Sequence, residues 1–205
     1  LTSWTPDAEP GKVDEKALDF LAKHGFNFAR LACDYRFWTV EGDYFKLRES
    51  TFEQIDGYLD ACRSRGIHFS LNMHRVPGYC INQPEIERHN LWQDVEAQDG
   101  IVFQWESFAR RYKGIPGEVI SFDLINEPPD IGQFGMTRDV HEKLIRRIVA
   151  AIREIDPERT IVIDGLLFGA DALSSLETLR QAHAKAEPQS FAADLVVGTD
   201  LTEVV

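Results

Sequence analysis

Short apolar stretches alternate along the chain with longer segments of helical periodicity. The apolar stretches are rich in β-branched and aromatic residues, and each is short enough to be a buried strand; they cover 26–33, 67–72, 119–124 and 160–163. Between the last two, Val140, Leu144, Ile148 and Ile152 form an apolar stripe at helical spacing. The pattern predicts buried strands that alternate with amphipathic helices.

One helix start is suggested by a local motif. The segment from Thr51 to Gln54 has the form of a capping box, and the helix that it opens is predicted to run to Arg65 and stop at Gly66, directly before a strand.

The alternation of strands and helices indicates an α/β fold with a parallel sheet, either a barrel or a doubly wound sheet. The predicted strands begin at residues 26, 67, 119 and 160, so each unit carries a long loop. Eight such units would need more than the roughly 250 residues of a typical barrel. We therefore expect a partial (β/α)8 TIM-type barrel with about four βα units, forming one domain over residues 1–205. Residues 1–13 are predicted to be loop, and the tail 181–205 receives no assignment.

Composition narrows the classes of function. The chain has 205 residues, 43% hydrophobic and 27% charged, which is ordinary for a globular domain. Its net charge of −12 disfavours binding to nucleic acid or to an anionic membrane surface, whereas a neutral polymer is a compatible partner. No apolar run approaches the roughly 20 residues of a membrane-spanning helix.

The cysteines and the first residues add little information about function. Cys33, Cys62 and Cys80 are too few and too widely spaced for a disulfide framework or a zinc site, so we expect buried thiols and no metal or other cofactor. The chain begins without Met and without the regions of a signal peptide, which fits a processed secreted protein or a fragment.

Polar residues follow all four predicted strands. In parallel barrels the working side chains lie at the carboxyl ends of strands, so these positions are the candidate site. In chain order they are Arg30, Asp34 and Tyr35; Asn72, His74 and Arg75; Asp123, Asn126 and Glu127; and Asp164.

The third strand end is the most informative. The segment SFDLINEPP (121–129) places an amide and a carboxylate side by side and then ends the strand with proline. Hydrolysis of a glycosidic bond needs a proton donor at the leaving oxygen, which suits Glu127, and a group that holds the sugar 2-hydroxyl, which suits Asn126. The tripeptide alone fits equally well a strand-ending turn with a solvated glutamate.

Several separated motifs resemble glycoside hydrolase family 5, a family of cellulase-like (β/α) barrel enzymes, in that family's order. The segment GFNFARL (25–31) resembles its second strand, LNMHRVPGYCIN (71–82) its third, and IVIDG (161–165) its fifth. The segments NLW (90–92) and FARRYK (108–113) are similar to the region before the Asn-Glu-Pro strand, and IDPER (155–159) to the helix end after it. The resemblance covers residues 14–170 and is far more specific than one tripeptide.

The resemblance implies a role for each matching residue. Glu127 is the acid/base, His74 and Asn126 bind the sugar at the cleavage subsite, and Arg30 supports the carboxylate of the nucleophile. The family's nucleophilic glutamate and the residues of its later strands have no recognisable counterpart here. The tail carboxylates Asp194, Asp200 and Glu203 lie in surroundings that do not match them.

Other residues have competing interpretations. Arg30 could instead pair with a strand-end carboxylate such as Asp34 or Asp123, although an arginine on an apolar strand is costly without a partner. Trp38 and Tyr79 follow strands and are candidate platforms for sugar stacking. For Trp92 and Trp105 a helical setting favours core packing, and Asp164 before Gly165 favours a turn former.

The leading hypothesis is thus a retaining hydrolase of β-linked glucans or related saccharides, working by double displacement. The alternative is a truncated, inactive barrel fragment that binds glycans. A nucleotide-binding doubly wound enzyme is disfavoured because no Gly-rich loop follows a strand. Since four strands cannot close a barrel of eight, we expect the chain to associate with itself or with a C-terminal half.

Overall fold

The computed structural model describes residues 12–169. The helices of this part are α1 (Glu15–Lys23), α2 (Glu49–Arg63), α3 (Val95–Tyr112) and α4 (Arg138–Ile155). The strands are β1 (Phe28–Asp34), β2 (Thr39–Val40), β3 (Asp43–Leu47), β4 (His68–Arg75), β5 (Ile120–Asp123) and β6 (Thr160–Val162). Short 3-10 turns lie at Tyr35–Phe37, Pro84–Ile86 and Gln133–Gly135.

Four of these strands form one parallel sheet in the order β1-β4-β5-β6, with all carboxyl ends at one edge. Ala32 lies beside Asn72, and Asn72 beside Asp123, so the ends of three strands come together. The prediction of an α/β fold with parallel strands is confirmed. The four predicted strands are all present, with ends that differ by at most three residues.

The helix start predicted at Thr51 is wrong. Helix α2 begins at Glu49 after Arg48, whose side chain makes no capping hydrogen bond, and it ends at Arg63 rather than Arg65. The Thr51 hydroxyl instead donates to the carbonyl of Phe37 at 2.8 Å, since that buried carbonyl is within its reach. A tertiary contact has replaced the local cap.

The sequence pattern also missed two elements. Helix α1 is capped at its start by Asp14, whose carboxylate accepts the Ala17 N–H at 3.0 Å. The hairpin of β2 and β3 lies in the loop after β1, and Tyr44 of β3 packs against Gly100 of α3, where a Cβ atom would lie 2.7 Å from the tyrosine Cβ. The long first loop is therefore a packed unit.

The core lies between the sheet and helices α2, α3 and α4. Trp105 of α3 packs on Phe108 and Phe122, and Trp92 is also buried, as expected of core tryptophans. The three cysteines are buried free thiols, as predicted, and burial raises the pKa of each.

Within residues 12–169, β1 and β6 are the outer strands of the sheet. Phe28, the first residue of β1, and Phe26 shortly before it are more than half exposed. Within the same range, no helix is long and apolar enough to cross a membrane. The tail 181–205, its candidate carboxylates and residues 1–11 lie outside the described part.

Candidate active site

The site is built at the carboxyl edge of the sheet around Arg30. The Arg30 Nε donates to Asp123 Oδ2 at 2.6 Å, and its Nη2 donates to Asn126 Oδ1 at 2.8 Å. Asp164, after β6, lies 3.9 Å from the same Nη2. Residues from β1, from the end of β5 and from the loop after β6 thus meet at one cation.

Arg30 fixes the orientation of the Asn126 amide. A guanidinium has donors only, so the amide oxygen must face Arg30 and the amide nitrogen must point away. That nitrogen is buried and has no hydrogen-bond partner in the structure. A buried, unpartnered donor in a fixed direction is costly for folding, and it is what a site for a substrate hydroxyl requires.

His74, near the end of β4, belongs to the same cluster. Its Nδ1 lies 3.3 Å from Asn72 Oδ1, and the residue is half-buried. Burial, and then the positive charge of Arg30, lower the pKa of His74 below its ordinary value. The ring is therefore neutral at neutral pH, a state in which it donates one hydrogen bond and accepts another.

Glu127 has an unusual backbone. Its φ is +47°, in the left-handed region that residues other than glycine seldom occupy. Its N–H donates to Asp164 Oδ2 at 2.9 Å, and its carbonyl accepts from the Tyr79 hydroxyl at 2.6 Å. The carboxylate of Glu127 therefore starts from a peptide that two other segments hold in place.

The carboxyls around Arg30 are electrostatically coupled. Asp123 is almost fully buried, and burial followed by the nearby Asp164 raises the pKa of Asp123 to about 6, while Arg30 opposes that rise. A side-chain hydrogen bond from Asn72 also opposes the rise. One partly exposed cation thus faces two acidic side chains.

The structure brings together Arg30, His74, Asn126 and Glu127, but it places the two candidate stacking residues elsewhere. Trp38 is fully buried: its Nε1 donates to Gln104 Oε1 at 3.0 Å and its ring packs edge-on against Phe108. No face of this ring is open to a sugar. The strand-end position suggested exposure, but Phe52 of α2 and residues of α3 lie against the ring.

Tyr79 lies at the site, but its ring is too buried for sugar stacking. Only 2% of the residue is exposed, its ring meets Trp92 and Phe134 edge-on, and its hydroxyl contacts the Glu127 carbonyl. The exposed aromatic ring next to it is Phe134, which is 39% exposed.

The sequence analysis named Asp123 as a possible partner of Arg30 but missed the role of Asp164. Asp123 was one of two candidate partners for Arg30, and the hydrogen-bonded ion pair of 2.6 Å decides in its favour. Asp164 was expected to form a turn, whereas its carboxylate accepts the Glu127 N–H. Its place at a strand end was the available signal.

Comparison with known proteins adds a direct test of the family. The model of the family "Cellulase (glycosyl hydrolase family 5)" matches residues 2–193. The chain belongs to glycosyl hydrolase family 5. The cellulase-type glycosidase assignment thus has support beyond the Asn-Glu-Pro segment.

Relatives in this family include endoglucanases. The chain is 31% identical over 155 residues to Endoglucanase C of Acetivibrio thermocellus, covering 75% of this chain and 42% of that protein. It is 28% identical over 171 residues to Cellodextrinase A of Ruminococcus flavefaciens, covering 83% of this chain and 48% of that protein. The chain thus spans less than half the length of these relatives.

Solved structures agree on the fold. A glycoside hydrolase crystal structure is 57% identical with a TM-score of 0.84, over 87% of this chain and 54% of that one. The endoglucanase Cel5A of Thermotoga maritima is 22% identical with a TM-score of 0.66, over 90% of this chain and 52% of that one. The four-stranded sheet is thus similar to about half of each of these structures.

In residues 12–169 no group of acidic, histidine or cysteine side chains could hold a metal ion.

Proposed function

We propose that this chain carries the acid/base half of a retaining glycosidase site that cleaves β-linked glucans. The observation that carries the proposal is the pair Asn126 and Glu127. The amide nitrogen of Asn126 is buried, unpartnered and held in one direction by Arg30, directly beside a carboxylate on a restrained peptide. A turn with a solvated glutamate would need none of these features.

Each residue then has a chemical task. Glu127 protonates the glycosidic oxygen as the bond breaks and later takes a proton from the attacking water. Asn126 donates to the sugar 2-hydroxyl, a contact that strengthens as oxocarbenium character develops. His74, neutral because its pKa is lowered, hydrogen-bonds the same sugar.

The nucleophile requires a second carboxylate about 5 Å from the acid/base. Asp123 and Asp164 are close by but already engaged, the first by Arg30 and the second by the Glu127 N–H. We infer that the nucleophile comes from outside residues 12–169, and that Arg30 also supports it there.

The substrate class follows from the relatives. Two of them are named endoglucanase and cellodextrinase, and Cel5A has been solved with cellobiose and with mannotriose. We take a β-linked glucan as the substrate and a mannan as the competing outcome of the assay.

Phe134 is the stacking platform in this proposal, replacing Trp38. Its φ of +52° is strained for a non-glycine residue, and Asn90 Nδ2 holds its carbonyl at 2.8 Å. The ring is exposed and touches Tyr79, which contacts Glu127. A strained turn that presents an exposed aromatic ring next to Tyr79 suits contact with the apolar face of a pyranose.

The second candidate function is glycan binding without turnover. It is favoured by one observation, that the nearby carboxylates Asp123 and Asp164 are both engaged.

We also propose that a C-terminal half, or a second copy, adds strands beside β1 or β6, and light scattering on the assayed sample measures that association.

Replacement of Glu127 by Gln tests the acid/base role. The variant keeps the shape of the side chain but has no proton to give, so hydrolysis of cello-oligosaccharides should fall by roughly 10² to 10⁴. An aryl cellobioside with an activated leaving group needs little protonation and should lose far less.

Three outcomes separate the hypotheses. Equal losses on both substrates would contradict the acid/base role of Glu127. Cellotetraose binding in calorimetry without turnover of either substrate by the original chain would favour the binding function. Turnover of manno-oligosaccharides but not of cello-oligosaccharides would replace glucan by mannan.

A further inference from the structure

Glu127 occupies a left-handed backbone conformation in a segment where the sequence offers no glycine. Its φ of +47° is unfavourable for a side chain with a Cβ atom, so the surrounding structure must hold it. The side chain leaves the backbone in a direction that an ordinary strand or turn would not give. The position of the carboxylate therefore depends on whatever keeps this peptide in place.

Two hydrogen bonds hold the two sides of this residue. Asp164 Oδ2, from the loop after β6, accepts the N–H at 2.9 Å. The Tyr79 hydroxyl, from the loop after β4, donates to the carbonyl at 2.6 Å. The two partners come from the units on either side of β5, so neither bond is a local feature of the Asn-Glu-Pro segment.

The loop after β4 is itself built to deliver the Tyr79 hydroxyl. Val76 and Tyr79 exchange two backbone hydrogen bonds of 3.0 Å across a tight turn. Gly78 in that turn has φ of +77°, and a Cβ atom there would lie 2.6 Å from the Leu91 nitrogen. The tyrosine ring is then enclosed by Trp92 and Phe134, which leaves it 2% exposed.

The hydroxyl is also a dependable donor. Burial raises the pKa of Tyr79 above its ordinary value, so the proton stays on the oxygen through the range in which a glycosidase works.

We propose that Tyr79 and Asp164 are positioning residues that clamp the Glu127 peptide in its left-handed conformation and so direct the acid/base carboxylate at the glycosidic oxygen. Neither residue touches the reacting atoms. The proposal rests on the function proposed above for Glu127. The aromatic ring of Tyr79 packs within the loop, whereas its hydroxyl holds the Glu127 peptide.

The test uses Tyr79→Phe, which removes the hydroxyl and keeps the ring. A misdirected acid matters when the leaving group needs a proton, so hydrolysis of cellotetraose should fall by roughly 10-fold to 100-fold. Hydrolysis of a dinitrophenyl cellobioside should change by less than about threefold. Tyr112→Phe is the matched control, because it removes another buried tyrosine hydroxyl, bonded to Asp56 at 3.0 Å and remote from the site. It should not separate the two substrates.

A second readout does not depend on turnover. In protein labelled at glutamate, the intraresidue NOE between the amide and α protons of Glu127 is strong when φ is positive and weakens when φ becomes negative. Tyr79→Phe and Asp164→Ala should weaken it. Asp164→Asn should preserve it, because the amide oxygen can still accept the N–H.

These readouts distinguish the two proposals. If the original chain turns over neither substrate, the proposed function fails for this chain and the NOE alone decides the clamp. Equal losses on both substrates, or an NOE unchanged by both Tyr79→Phe and Asp164→Ala, would overturn the clamp whatever the activity.

Discussion

Arg30 and Arg75 lie on neighbouring strands near the same edge of the sheet, yet their surroundings differ. Arg75 is 1% exposed, and its Nη1 donates to Glu87 Oε1 at 2.5 Å while its Nη2 donates to the Asn82 carbonyl. Asp34 lies 3.5 Å from its Nε. Arg30 has a side chain that is 35% exposed, and it shares its donors between Asp123 and Asn126.

The partners of each arginine show the difference more clearly. Glu87 also accepts from the Tyr35 hydroxyl and from the Gly78 N–H, so its two oxygens are used within the protein. Around Arg30, Asn126 Nδ2 is buried without a hydrogen-bond partner, and the Arg30 side chain itself is partly exposed. The Arg75 cluster is almost fully buried and the acceptor atoms of Glu87 are used within the protein, whereas the Arg30 cluster keeps a donor available for a ligand.

The largest expected difference between the clusters is in stability. Arg75→Met leaves Glu87 buried without its cation, so the free energy of unfolding should fall by about 3–5 kcal/mol. Arg30→Met should cost less, because Arg30 is partly exposed and Asp123 can take up a proton instead. Urea denaturation of both variants measures the two losses.

Arg30→Met should weaken glycan binding more than Arg75→Met does. Arg30→Met removes the hydrogen bond that orients the amide of Asn126, whereas Arg75→Met leaves that bond in place. Calorimetry with cellotetraose at a temperature where both variants are folded makes this comparison. If Arg30→Met proved the more destabilising, or left binding intact, the assignment of Arg30 to the site and Arg75 to the scaffold would be reversed.

The contrast also shows what the sequence could predict. The alternation of strands and helices predicted the parallel sheet, and the strand-end rule picked out both arginines together with Asn126 and Glu127. It could not separate Arg30 from Arg75, because their roles depend on Glu87, which lies in a loop with no periodic signal. The lateral order of the strands, which the pattern leaves undetermined, brings Arg30 of β1 within 2.6 Å of Asp123 of β5, across β4.

The exposure of individual side chains was harder still to predict. Trp38 follows a strand, as a sugar platform would, but it is buried by side chains of α2 and α3 that are distant in the sequence. The left-handed conformation of Glu127 has no local sequence signal, because it is imposed by Tyr79 and Asp164.

An effect of intermediate size concerns the pH dependence of the Arg30 cluster. The pKa of Asp123 is raised from 3.8 to about 6, so the folded protein binds a proton more tightly than the unfolded chain does. Between about pH 4 and pH 6 this group therefore lowers the stability as the pH rises, by up to about 3 kcal/mol.

Asp123→Asn removes this titration. The free energy of unfolding of the original protein should fall relative to that of the variant as the pH rises from 4 to 6. Urea titrations at four pH values measure it, and groups that titrate in both proteins, such as His74, cancel. Parallel pH profiles would mean that Asp123 remains ionised in the fold.

The smallest effect is a change in glycan affinity at Phe134, for which the buried Trp38 serves as a contrast. Phe134→Ala removes an exposed ring, so the free energy of unfolding should change little, while the affinity for cellotetraose should fall by about 1 kcal/mol, or roughly fivefold in Kd. Trp38→Ala should do the opposite, costing about 3–5 kcal/mol of stability because a fully buried ring leaves a cavity. Phe20→Ala is the matched control for surface exposure, since Phe20 is 59% exposed on α1. An equal loss of affinity in Phe134→Ala and Phe20→Ala would remove the stacking role from Phe134, because the ring would then matter no more than any exposed phenylalanine.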